Sequence, residues 1–90
     1  MRKSQHFYNL KYTELDTLLT LNGSTIKVFL ALARHANWKD GTCFPGYRKM
    51  SEMTGVTSRR RLKEHVDILM DVGLVQSRWK EGDKYHYMLK

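Results

Sequence analysis

A mainly α-helical domain carrying one small β-hairpin is predicted by three features of the 90-residue sequence. Apolar residues recur at helical spacing up to Val72, their period drops to two after Gly73, and glycines or turn residues separate the periodic stretches. The resulting order is a short N-terminal helix, a helix, a strand, two further helices and the hairpin. With no linker-like stretch, residues 1–90 form one domain, which can bury about two-thirds of its unfolded surface. An apolar fraction of 41% with 11% aromatics excludes intrinsic disorder, and one proline with six glycines excludes collagen-like and low-complexity chains.

Residues 1–11 carry Arg2, Lys3 and Lys11 without an acid and read as a basic arm anchored by Phe7, Tyr8 and Leu10. From Thr13 to Leu21, Leu15, Leu18 and Leu19 form a helical ridge, and Asn22-Gly23 offers a left-handed stop. That ridge either caps the core or pairs with a second copy. Ser24 then caps a helix to Asn37 whose stripe is Ile26, Phe29, Leu30 and Ala33, widened by Val28 and Leu32. Trp38-Lys39-Asp40-Gly41 is turn chemistry, and Thr42-Cys43-Phe44, ended by Pro45, suits a minimal edge strand.

Tyr47, Met50, Ser51 and Thr54 line one face of a two-turn helix over 47–54 between Gly46 and Gly55. Thr57 or Ser58 caps the next helix, over 58–72, whose seam is Leu62, Val66 and Leu69 and whose stop is Gly73. Over 74–89 two runs alternate around the turn Lys80-Glu81-Gly82-Asp83-Lys84: Val75, Ser77 and Trp79 in the first, Tyr85, Tyr87 and Leu89 in the second. Trp79, Tyr85 and Tyr87 are expected to pack across strands and against the helices, with stacking on bases as the alternative use.

The formal charge is +7, and residues 48–65 hold six cations against two acids, a balance of +4. Arg59, Arg60 and Arg61 fall in the first turn of a helix, where the macrodipole disfavours each cation by up to about 1 kcal/mol. A local rule broken three times in succession marks a functional site, and an external phosphate would reverse the sign. On the helical wheel Arg60, Glu64 and Asp67 lie opposite the seam, with Arg61 and Lys63 at its flanks. Arg60, Arg61, Lys63 and Glu64 are therefore the base-edge candidates, since arginine binds guanine in bidentate fashion and glutamate accepts from cytosine. Arg48, Lys49, Thr57, Ser58 and Arg59 are the phosphate-contact candidates.

The run Arg34-His35-Ala36-Asn37, then Gly41-Thr42-Cys43-Phe44-Pro45-Gly46-Tyr47, Thr54-Gly55-Val56, the arginine cluster and Gly73-Leu74-Val75 resembles winged helix-turn-helix domains. The resemblance is strongest to those of phage and plasmid replication initiators and related phage DNA-binding proteins, and covers about Ser24 to Leu89. It implies that the helix after the turn enters the major groove. It also implies that the hairpin is a wing, with Arg78, Lys80 and Lys84 near flanking backbone or minor groove. Gly46 stands where the family commonly has Ser, and Ser51 where it has Ala. Gly55 to Leu62 spans seven residues where six are expected, so the turn carries one extra residue.

His6, His35, His65 and His86 show no metal-ligand spacing with one another or with Cys43, which reads as a small buried hydrophobe. No nucleophile with a base, paired carboxylates or glycine-rich phosphate loop is apparent, so no enzyme, cofactor or metal is expected. A lone cysteine and an apolar run of at most six residues point to a reducing cytoplasm and no membrane span. Ser4-Gln5-His6, where an apolar signal segment would begin, argues against secretion.

The functional expectation is sequence-specific binding of double-stranded DNA in replication initiation, regulation or segregation of a mobile element. The protein is expected to act as a homodimer on paired half-sites, because one small module buries little surface. The alternative is a winged-helix interaction module that docks a replication or partition protein.

Overall fold

The computed structural model describes residues 11–37, 40–82 and 84–89. The basic arm before Lys11, Trp38 and Lys39 of the first turn, and Asp83 of the hairpin turn lie outside the described residues.

Helix α1 (Tyr12–Leu19) opens with the Lys11 amide donating to Glu14 Oε1 at 3.0 Å. It closes through the Thr20 and Leu21 amides donating to the Thr17 and Leu18 carbonyls, with Thr20 in ordinary right-handed geometry. Asn22-Gly23 therefore does not stop α1. Asn22 instead starts α2 (Gly23–His35): its Oδ1 accepts from the Thr25 amide at 3.2 Å, displacing Ser24 from the expected capping role. The buried face of α2 carries Thr25, Val28, Phe29, Ala31 and Leu32, while Leu30 is 48% exposed and Ile26 and Ala33 only flank the core. The leucine ridge of α1 also divides. Leu18 is core at 4% exposure and Leu19 is 77% exposed.

Strand β1 (Thr42–Cys43) is an edge of a three-stranded antiparallel sheet ordered β1-β3-β2, and Phe44 lies beyond it, largely exposed. Helix α3 (Tyr47–Thr54) ends at Gly55, whose φ of 78° only glycine adopts without strain. Thr54 Oγ1 donates back to the Met50 carbonyl and accepts from the Val56 amide, closing the turn. Ser58 caps α4 (Arg59–Asp71) by accepting from the Arg61 amide at 3.2 Å. Leu62, Val66 and Leu69 form its buried seam, and Gly73 at φ 85° releases the chain into β2 (Val75–Glu81) and β3 (Lys84–Leu89). The core joins Phe29 and Leu32 of α2, Met50 of α3 and the α4 seam to Leu74, Val75, Leu89 and Cys43. This is the expected element order, consistent with a winged helix-turn-helix fold.

The hairpin departs from strict alternation. Val75 pairs with Leu89 but Ser77 with Met88, so a bulge at Gln76 inserts one residue and shifts the phase of β2. Arg78, opposite Tyr87, consequently shares the core-facing side with Val75, whereas Trp79, opposite His86, lies on the outer face. The expected grouping of Val75, Ser77 and Trp79 on one face is thus wrong. The turn is also tighter than the five residues expected, because Glu81 already pairs with Lys84.

Burial pushes the Cys43 thiol up to about 12, so almost no thiolate forms at pH 8. We expect alkylation of the native protein at pH 8 to be slow and to become rapid in urea; rapid labelling under native conditions would contradict the buried position.

Candidate nucleic-acid interface

The three arginines at the start of α4 face a helix end with no acid in its first turn. They point in three directions. Arg60 stands outward, its side chain 85% exposed, with Nε 3.8 Å from Glu64 Oε2, an open pairing that contributes little to stability. Arg59 turns toward α3, its guanidinium 4.5 Å from the centre of the Tyr47 ring. Arg61 takes the opposite flank, where it lines a small pocket of about 300 Å³ with Ser24, Thr57, Ser58 and His65. His65 Nδ1 lies 2.9 Å from the buried Thr25 hydroxyl, tying that flank to the start of α2.

On the Arg59 side, a groove of about 930 Å³ runs between α3 and α4 and the inner face of the wing. Its cations are Arg48 and Arg59 and Lys63 from the helices, and Arg78, Lys80 and Lys84 from the wing, against Glu52 as the acid among the described lining residues. Tyr85, 40% exposed, sits under two of the three wing cations: the Arg78 guanidinium lies 5.8 Å and Lys80 Nζ 5.5 Å from its ring centre. An apolar wall topped by cations on both rims suits a phosphodiester strand, whose sugars contact rings while its phosphates meet the charges.

The expected site residues are only partly gathered here. Arg48, Arg59 and Lys63 meet Arg78, Lys80 and Lys84 in the groove, whereas Thr57, Ser58 and Arg61 belong to the other flank of α4. The Ser58 oxygen is used as the cap, leaving its hydroxyl hydrogen to donate. Lys49 stands apart, close enough to His35 that it and Arg34 add to burial in lowering the His35 pKa. Lys63 Nζ lies 3.7 Å from Asp67 Oδ2, and Glu64 is engaged by Arg60.

Two residues gain importance that sequence reasoning did not assign. The sequence places Tyr47 on one helix face and in the winged-helix motif, with no role at the site, yet its hydroxyl donates to the Thr57 carbonyl while its ring carries Arg59, so it holds both the extended turn and a groove cation. Asp67 appeared only as a position on the outer wheel, yet it binds the wing through Arg78 at 2.9 Å. An aromatic directly before Arg48-Lys49 was the available signal for the first; the second depends on the bulge and had none. Trp79 is absent from the groove. It stacks on His86, which stacks in turn on Phe44, and Trp79 Nε1 donates to Glu81 Oε2 at 3.1 Å.

No helix among the described residues is long and apolar enough to cross a membrane. A family model described as a helix-turn-helix domain matches residues 19–75, from the last residue of α1 to the first of β2. No curated protein and no solved structure matches the chain.

Proposed function

The chain belongs to the helix-turn-helix domain family, and on that footing we propose that it binds double-stranded DNA sequence-specifically, without catalysis, presenting α4 to the major groove. The observation that carries this reading is the groove in which cations of α3, α4 and the wing converge on one face. Arg60 and Glu64 occupy the outward ridge of α4, with Arg61 and Lys63 on its flanks, the disposition that base-edge contacts require. A role in replication initiation, regulation or segregation of a mobile element follows from the resemblance in the basic and turn motifs.

Salt titrations of fluorescence anisotropy on a random-sequence duplex test the electrostatic part. Arg48→Ala and Arg59→Ala are each expected to lower the slope of log affinity against log salt by about 1. Lys49→Ala, beside His35 and outside the groove, should leave it near wild type. Unchanged slopes in the first two would remove the groove as the phosphate site.

Homodimerisation on paired half-sites is part of the proposal, and Leu19 is the residue of the α1 ridge free to mediate it. Leu19→Ser should change stability by less than about 0.5 kcal/mol, because the side chain is 77% exposed, while abolishing cooperative binding to paired sites. Sedimentation and melting together check this. Intact cooperativity in a folded mutant would reject α1 as the seam.

A further inference from the structure

The bulge at Gln76 turns one cation of the wing inward. Arg78 is left with a side chain only 16% exposed, in contrast to Lys80 and Lys84, which are exposed. Its Nη2 lies 2.9 Å from Asp67 Oδ1 of α4, its guanidinium rests near the Tyr85 ring, and its Nη1 is buried without a hydrogen-bond partner. The guanidinium thus depends on one carboxylate. Asp67 also faces Lys63, so a single acid engages a cation of its own helix and one of the wing.

Among the described residues this is the ion pair that joins wing to helix. The connection between α4 and β2 is short and closed by the Gly73 and Leu74 amides, which donate to the Met70 and Leu69 carbonyls, and β1 pairs with β3 at Tyr87 and Met88, so the backbone fixes the base of the hairpin and not its tip. Val75 and Leu89 anchor its base in the core, while Lys80, Glu81, Lys84 and Tyr85 beyond Arg78 are exposed. An acid beside a phosphate-binding groove weakens DNA affinity by simple repulsion. Its placement here has a different use.

We infer that Asp67 and Arg78 form a strut that sets the wing against α4, making Arg78 a positioning residue for duplex recognition and not a phosphate contact. The inference rests on the DNA-binding reading above only for what the strut positions; the strut itself is a property of the free protein. Breaking it leaves the Arg78 charge without a partner and frees the distal wing. Contacts made jointly by wing and α4 then lose their fixed separation, which lowers discrimination between sequences more than general attraction to phosphate.

The test compares Asp67→Asn, Arg78→Gln and the double mutant by amide hydrogen exchange of the free proteins. It also measures affinity for a duplex selected by the wild type from a random pool and for a shuffled duplex of the same composition. Both single mutants should speed exchange at Lys80 and Tyr85 and reduce the selected-to-shuffled affinity ratio by about 10-fold, and the double mutant should do no more than either. Arg78→Lys, which keeps the charge, should restore part of the ratio. If Arg78→Gln fails to fold, Asp67→Asn, altering a half-exposed helix position, carries the test.

Unchanged wing exchange in Asp67→Asn overturns the strut. So does tighter binding to both duplexes with an unchanged ratio, which makes Asp67 a repelling acid only. Additive single effects overturn it as well, because they show no coupling. A wild type that retains no duplex at all overturns the DNA-binding reading and the recognition role, while wing exchange still decides the strut.

Discussion

Phe29→Ala is expected to remove a large share of the stability of the domain. The ring is fully buried on α2, the helix that packs against α3, α4 and β1, so its loss opens a cavity in the core around that helix. Such truncations cost about 3–5 kcal/mol. At roughly 0.05–0.15 kcal/mol per residue, a domain of this length has about 4–14 kcal/mol in total. Collapse around the cavity is restricted because the neighbouring Val28 and Leu32 are themselves fully buried and α2 is fixed at its start by Asn22. Urea denaturation followed by circular dichroism measures the loss. A change below about 1 kcal/mol would mean that α2 is not the central helix.

The largest expected effect on recognition belongs to Arg60→Ala. Arg60 lies in the first turn of α4, 85% exposed, and its partner Glu64 at 3.8 Å holds it loosely enough to be exchanged for a base. Removing a bidentate contact to guanine should cost about 1–3 kcal/mol on the selected site and much less on random duplex, flattening preference at one position. Arg61 and Lys63 lie on opposite flanks, so each predicts a different result if the helix enters the groove rotated. Repeating the selection with the three single mutants identifies which side chain reads the base. Unchanged preference in all three would remove α4 as the reader.

The helices were legible because their signals are local. Gly55 and Gly73 both adopt the left-handed geometry that ends a helix, and α3 falls at the expected 47–54. Asn22-Gly23 was misjudged because asparagine serves either helix end, and α1 closes in right-handed geometry without needing the glycine. Leu18 and Leu19, adjacent on a helix, point about 100° apart, so only the neighbouring elements decide which is buried. The bulge mattered most for the site. One extra residue in β2 reverses every side chain beyond it, moving Arg78 inward to Asp67 and Trp79 outward to His86, and no residue type at Gln76 announces it. The basic cluster itself was plain in the sequence, yet its division between the wing groove and the pocket beside Ser24 depends on where α2 and β3 pack.

Selection from a random pool of duplexes by the wild-type protein, at moderate salt, tests sequence-specific DNA binding most directly. The arrangement of Arg60 and Glu64 on the open ridge of α4 predicts enrichment of one short sequence containing guanine, with the preference for that guanine lost in Arg60→Ala. A pool that stays random, with duplex released as salt approaches physiological strength, would contradict the account and leave the basic face to an acidic protein partner.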